Sequence, residues 1–132
     1  MPAERRRGDD PTEWLRRGKS NLLRAREDIR LPGVAKEDLC FDAQQAAEKS
    51  VKAVLVHLGV RFPYIHDLGA LLTMVEEHGK AVPIHVREAA RLTRFAVETR
   101  YPGLEEPVTQ EEYERAMAIA EAVVRWAEEE ID

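Results

Sequence analysis

The chain has 132 residues, 44% of them hydrophobic and 34% charged, and a formal net charge of −5. That is enough chain for one hydrophobic core. The acidic balance argues against a protein that coats nucleic acid through non-specific phosphate contacts, which takes a basic surface, and leaves room only for a local basic pocket. The single cysteine, Cys40, excludes an internal disulfide and fits a reducing, cytoplasmic setting; no apolar run approaches the roughly 18–20 residues of a membrane span.

Residues 1–9 are polar and read as a flexible tail, leaving 10–132 as a single helical bundle. Asp10-Pro11-Thr12-Glu13 is a helix start: Asp10 caps, Pro11 suits the first helical position, and Glu13 can reach back. Trp14, Leu15, Gly18, Leu22, Ala25 and Ile29 share one face, so this helix is expected to run to about Arg30, where Leu31-Pro32-Gly33 stops it. The second helix spans about Lys36–Leu58, with Gly59 as a left-handed cap. It is apolar over more than half its circumference. Ala43, Ala46, Ala47, Ser50 and Ala53 admit another backbone closely, either a helix of the same chain or a second subunit. A loop held by Pro63 leads to His66-Asp67, where a third helix begins and runs to about His78. A fourth is expected from Pro83 to about Glu98–Arg100. Thr109-Gln110-Glu111-Glu112 is a capping box that opens a last helix to about Glu130. No alternating run reads as a strand. The expected fold is all-α: five helices in an up-and-down, four-helix-bundle-like arrangement.

Three places carry residues suited to chemistry. On the second helix Gln44, Glu48 and Lys52 recur every four residues, with Gln45 beside them, and so lie along one face. That line suits an exposed ion pair in water, or one wall of a cleft. In the following loop Arg61 precedes His66: histidine trades protons near neutral pH and arginine grips phosphate in two places. Together they suit metal-free phosphodiester cleavage, although a histidine beside a helix start equally serves a structural hydrogen bond. In Arg100-Tyr101-Pro102 the proline restricts Tyr101 to extended geometry; Arg100 suits phosphate and Tyr101 suits a stacked base, or the two simply anchor a loop. His57, His78 and His85 show no metal-ligand spacing, and no glycine-rich phosphate loop occurs. No cofactor or metal is expected.

The series Ala43–Leu55 (AQQAAEKSVKAVL), then His66-Asp67-Leu68, then Arg100-Tyr101-Pro102 resembles the HEPN domain (higher eukaryotes and prokaryotes nucleotide-binding) over about residues 12–130. The resemblance implies a small helical bundle that commonly forms a homodimer and stands beside a minimal nucleotidyltransferase, as in a toxin–antitoxin-like pair. The positions it picks out are Gln45, Glu48, Lys52, His66, Asp67, Arg100 and Tyr101. The first reading is therefore a nucleotide-binding and interaction module, with nucleotide or RNA as ligand and no membrane partner. The alternative is a metal-independent endoribonuclease toxin using His66 with Arg61 or Arg100. RNase members carry an arginine, a polar neighbour, a few more residues and then histidine late in the bundle. Here Arg61 and His66 stand between the second and third helices, and Phe62 follows the arginine.

Overall fold

Helix α1 (Pro11–Ala25) begins where the sequence places it: the Asp10 side chain accepts a hydrogen bond from the Thr12 N–H at 3.0 Å, and proline opens the first turn. In this computed structural model residues 10–26, 33–96 and 107–132 are described. The expected tail 1–9, the expected end of the first helix near Arg30, and Arg100 with Tyr101 lie outside them. Helix α2 (Lys36–His57) is the axis of the molecule and packs on α1, α3, the segment after α4, and α5. Gly59 ends it in the left-handed region, at φ 75°. The Gly59 N–H donates to Val56 O at 3.0 Å and the Val60 N–H to Leu55 O at 2.9 Å, the paired bonds of a Schellman turn. This turn reverses the chain, so residues 60–67 run back beside α2 towards α3 (Leu68–Glu77).

The fourth helix departs from expectation. Regular α-helix covers only α4 (Ile84–Arg87), and the chain continues as a 3₁₀ helix over Glu88–Phe95. The cause is legible in the spacing. Val86, Ala89, Leu92 and Phe95 are buried, and a strict period of three makes one straight stripe only at three residues per turn. Helix α5 (Gln110–Ile131) has the full capping box, Thr109 and Glu112 bonding reciprocally at 2.9–3.0 Å. Its Tyr113 hydroxyl donates to the Ala25 carbonyl at 2.5 Å, holding the open end of α1. No strand occurs among the described residues. The architecture is the all-α, five-helix bundle expected from the sequence.

The alanine stripe of α2 is consumed inside the chain. Ala43, Ala46, Ala47 and Ala53 are wholly buried, and α1 crosses the stripe at Ala46 and Ser50 through Gly18. A Cβ built on Gly18 would stand 2.9 Å from Ser50 Oγ and 3.0 Å from the Ala46 carbonyl oxygen. Substituting Gly18→Leu is therefore expected to destabilise the fold by about 1–3 kcal/mol, because overpacking forces the backbones apart. Thermal unfolding measures it, and a melting temperature equal to that of the parent would mean that the two helices do not cross this closely.

Candidate functional site

A carboxylate inside the bundle organises the site. Glu48 is only 3% exposed and Lys52, one turn on, only 4%. Their side chains pair at 2.8 Å, so the polar line on α2 is neither a solvated face nor an open wall but a buried pair. Gln44 is also buried, and its Nε2 donates to Glu48 Oε1 at 2.8 Å; Gln45 Nε2 donates to Gln44 Oε1 at 2.7 Å. Lys52 Nζ lies 5.7 Å from the centroid of Trp14 and 5.4 Å from that of Phe62. The two rings meet edge to face at 5.9 Å. The buried ammonium thus faces one carboxylate and two π-faces.

The returning loop completes the cluster. Phe62 covers Lys52, and His66, four residues on, covers Glu48 one turn earlier in α2. His66 Nδ1 lies 2.8 Å from Glu48 Oε1 and 3.0 Å from Oε2. An ionised carboxylate only accepts, so Nδ1 carries the proton and donates. This fixes the ring and leaves Nε2 with no protein partner among the described residues. The His66 side chain is 61% exposed, so that nitrogen faces solvent. Asp67 holds the loop in place: its Oδ1 accepts from the Ala70 N–H at 3.1 Å and caps α3, while the Leu68 N–H donates to Thr93 Oγ1 at 3.1 Å.

Burial pushes the Glu48 carboxyl up. Hydrogen bonds from Lys52, Gln44 and His66, with the charge of Lys52, outweigh that and hold it below the ordinary carboxylate range. The cluster therefore carries a buried negative charge opposite a buried positive one, with the histidine as its solvent-facing end.

Arg61 joins none of these bonds. It is exposed and lines a neighbouring pocket of about 540 Å³ with Trp14, Val60, Phe62 and Tyr64, the last fully exposed at 100%. Of the positions singled out in the sequence, Gln45, Glu48, Lys52 and His66 come together, Asp67 supports them from the side, and Arg61 opens onto the adjoining pocket. Trp14 and Phe62 have the look of ordinary core residues in sequence, yet both wall this cluster and the pocket. Their one shared signal is that aromatic rings stand at the two chain segments facing the Lys52 turn. Among the described residues no set of three His, Cys, Asp or Glu side chains could hold a metal ion, and no helix is long and apolar enough to cross a membrane.

Lys52→Met would leave Glu48 charged and without its cation. A loss of about 3–5 kcal/mol is expected from breaking a buried pair on one side, and the double variant Glu48→Gln/Lys52→Met should recover most of it. Denaturant unfolding decides this, and wild-type stability in Lys52→Met would show the pair to be unimportant. Because the folded carboxyl titrates below the unfolded one, protons bind the unfolded chain first as the pH falls. The stabilisation is present above the ordinary Glu value of 4.5 and is lost as the pH drops through the lower folded value. Between those limits the parent should lose stability more steeply than Glu48→Gln.

The family profile of the HEPN domain matches residues 12–131. Among solved structures, the chain is similar to TT1696 from Thermus thermophilus, with 30% identity over 91% of this chain and 97% of that one and a TM-score of 0.74. It shares its fold with ST0689, an archaeal HEPN homologue, at 24% identity over 93% and 98% of the two chains and a TM-score of 0.73. No protein of curated function matches it. With the profile covering nearly the whole chain and the five helices in place, the protein belongs to the HEPN domain family.

Proposed function

We propose that the protein is a nucleotide-binding and interaction module whose ligand sits where the Glu48–His66 cluster meets the pocket lined by Trp14, Arg61, Phe62 and Tyr64. One observation carries this reading. A buried, charged carboxylate orients an exposed histidine through Nδ1, and beside it an arginine and an unshielded tyrosine ring border an open pocket. Histidine Nε2 and Arg61 suit phosphate oxygens, and Tyr64 offers a face on which a base can stack. Arg100 and Tyr101 belong to the same reading on the family resemblance. So does the wider setting, a homodimer working beside a minimal nucleotidyltransferase. The alanine stripe of α2 lends that dimer no support, because its alanines are already buried within the chain.

Titration calorimetry with ATP, GTP and the corresponding monophosphates tests the binding site. Saturable binding is expected, weakened at least tenfold by Arg61→Ala and by Tyr64→Ala, both exposed positions whose loss leaves the core intact. If no nucleotide binds, or both variants bind like the parent, the site is misplaced.

A second reading has its own support in the orientation of His66. With Nδ1 held by Glu48, Nε2 can take a proton from an RNA 2′-OH. The freed oxygen attacks the adjacent phosphorus, the 5′-oxygen leaves with a proton, and a 2′,3′-cyclic phosphate remains. Arg61 or Arg100 would face the charge that develops on phosphorus. Incubating a labelled oligoribonucleotide with protein in excess EDTA should then give cyclic-phosphate ends with the parent and none with His66→Ala. Equal cleavage by the two would rule out His66 as the proton carrier.

A further inference from the structure

A second polar pocket, unused by the site above, lies between α1 and α2. Its volume is about 260 Å³ and its lining includes Arg16, Arg17, Ser20, Asn21, Arg24 and Lys49. The spacing along α1 is helical: Arg17, Ser20, Asn21 and Arg24 fall at i, i+3, i+4 and i+7, one strip about 10 Å long at 1.5 Å per residue. Lys49 faces that strip from α2.

The charges in this strip do not balance. Among the described residues, four cationic side chains meet two carboxylates. Glu13 takes both bonds from Arg16, at 2.8 and 2.9 Å, and lies 4.0 Å from Arg17. Asp42 accepts from Asn21 Nδ2 at 2.9 Å and lies 3.6 Å from Arg24. Among the described residues Lys49 has no carboxylate within ion-pair distance; its ammonium donates to the neutral Asn21 Oδ1 at 2.8 Å. Asn21, 7% exposed, thus locks Lys49 in position by bonding Asp42 with its other end. Burial lowers the Lys49 ammonium below the usual lysine range. The positive charge of Arg17 lowers it further, as does that of Arg24, against opposite pulls from Glu48 and Asp42. A cation held in place beside two others, in a pocket with polar walls, is stabilised by an anion entering that pocket.

We propose that the α1–α2 pocket is a phosphate-binding site, in which Arg17, Arg24 and Lys49 take the phosphate of a free nucleotide or the backbone phosphate of an RNA strand. Arginine supplies paired donors that match phosphate oxygens and Lys49 supplies a fixed point charge. The inference extends the nucleotide reading above but does not rest on His66, since none of its residues belongs to that cluster. It also reconciles an acidic chain with a phosphate ligand, because several cations gather locally along this strip while the chain as a whole stays negative.

Calorimetry at low salt with inorganic pyrophosphate and with a five-nucleotide oligoribonucleotide tests it, with chloride at matched ionic strength as the control. The variants are Arg17→Gln/Arg24→Gln, at exposed positions, and Lys49→Gln, which keeps a donor for Asn21. The parent should bind, with affinity falling at least tenfold in the double variant and in Lys49→Gln. Tighter binding of the oligoribonucleotide than of pyrophosphate assigns the site to RNA backbone, and the reverse assigns it to free phosphate. If pyrophosphate and the oligoribonucleotide bind no better than chloride, or if the variants bind like the parent, the site does not exist. Loss of binding in His66→Ala, with the α1–α2 variants unaffected, would leave the nucleotide reading standing and remove this one.

Discussion

A carboxylate placed inside a helical bundle has to be neutralised where it stands. Glu48 is held by three side chains from two chain segments: Lys52, which supplies the opposing charge, and Gln44 on its own helix, and His66 from the returning loop, with Gln45 bonded behind Gln44. Removing any charged partner alone would strand the other in low dielectric, which is why such clusters hold together as a unit. The consequence reaches well beyond α2. The loop must fold back to deliver His66, the Schellman turn at Gly59 must reverse the chain, and Trp14 must arrive from α1 to cover Lys52.

The same arrangement divides the labour between inside and outside. Negative charge and its cation are kept in the core, and only an oriented imidazole reaches the surface. Such a histidine has a defined tautomer and a defined direction, which an isolated surface histidine lacks. Beside it the aromatic rings serve twice, as cover for the ammonium and as walls of the pocket that Arg61 and Tyr64 border. In the second pocket between α1 and α2 the charge pattern is inverted: cations line the surface and a buried amide holds one of them in place. Helices α1 and α2 thus present two different polar sites on one packed pair, joined at the close crossing of Gly18 over Ala46 and Ser50.

Much of this was legible in the chain. Capping signals at Asp10, Asp67 and Thr109 and the left-handed Gly59 placed the helix starts and one end, because these are local effects of backbone donors and acceptors. The alanine stripe of α2 announced a close neighbour, though not whether it would be α1 or another subunit. The 3₁₀ winding of Glu88–Phe95 was written in the period-three spacing of Val86, Ala89, Leu92 and Phe95, but that spacing is easily taken for one face of an α-helix.

The order of helices, their caps and the four-residue recurrence of Gln44, Glu48 and Lys52 follow from the residue string alone, since each depends on neighbours within a turn or two. Whether that polar line met water or core did not, because burial depends on what α1 and the loop bring to it from distant positions in the chain. The pairing of His66 with Glu48, and of Asn21 with both Lys49 and Asp42, arises from helix crossing and chain reversal. No local pattern encodes those contacts; the packing of α1 and the returning loop against α2 creates them.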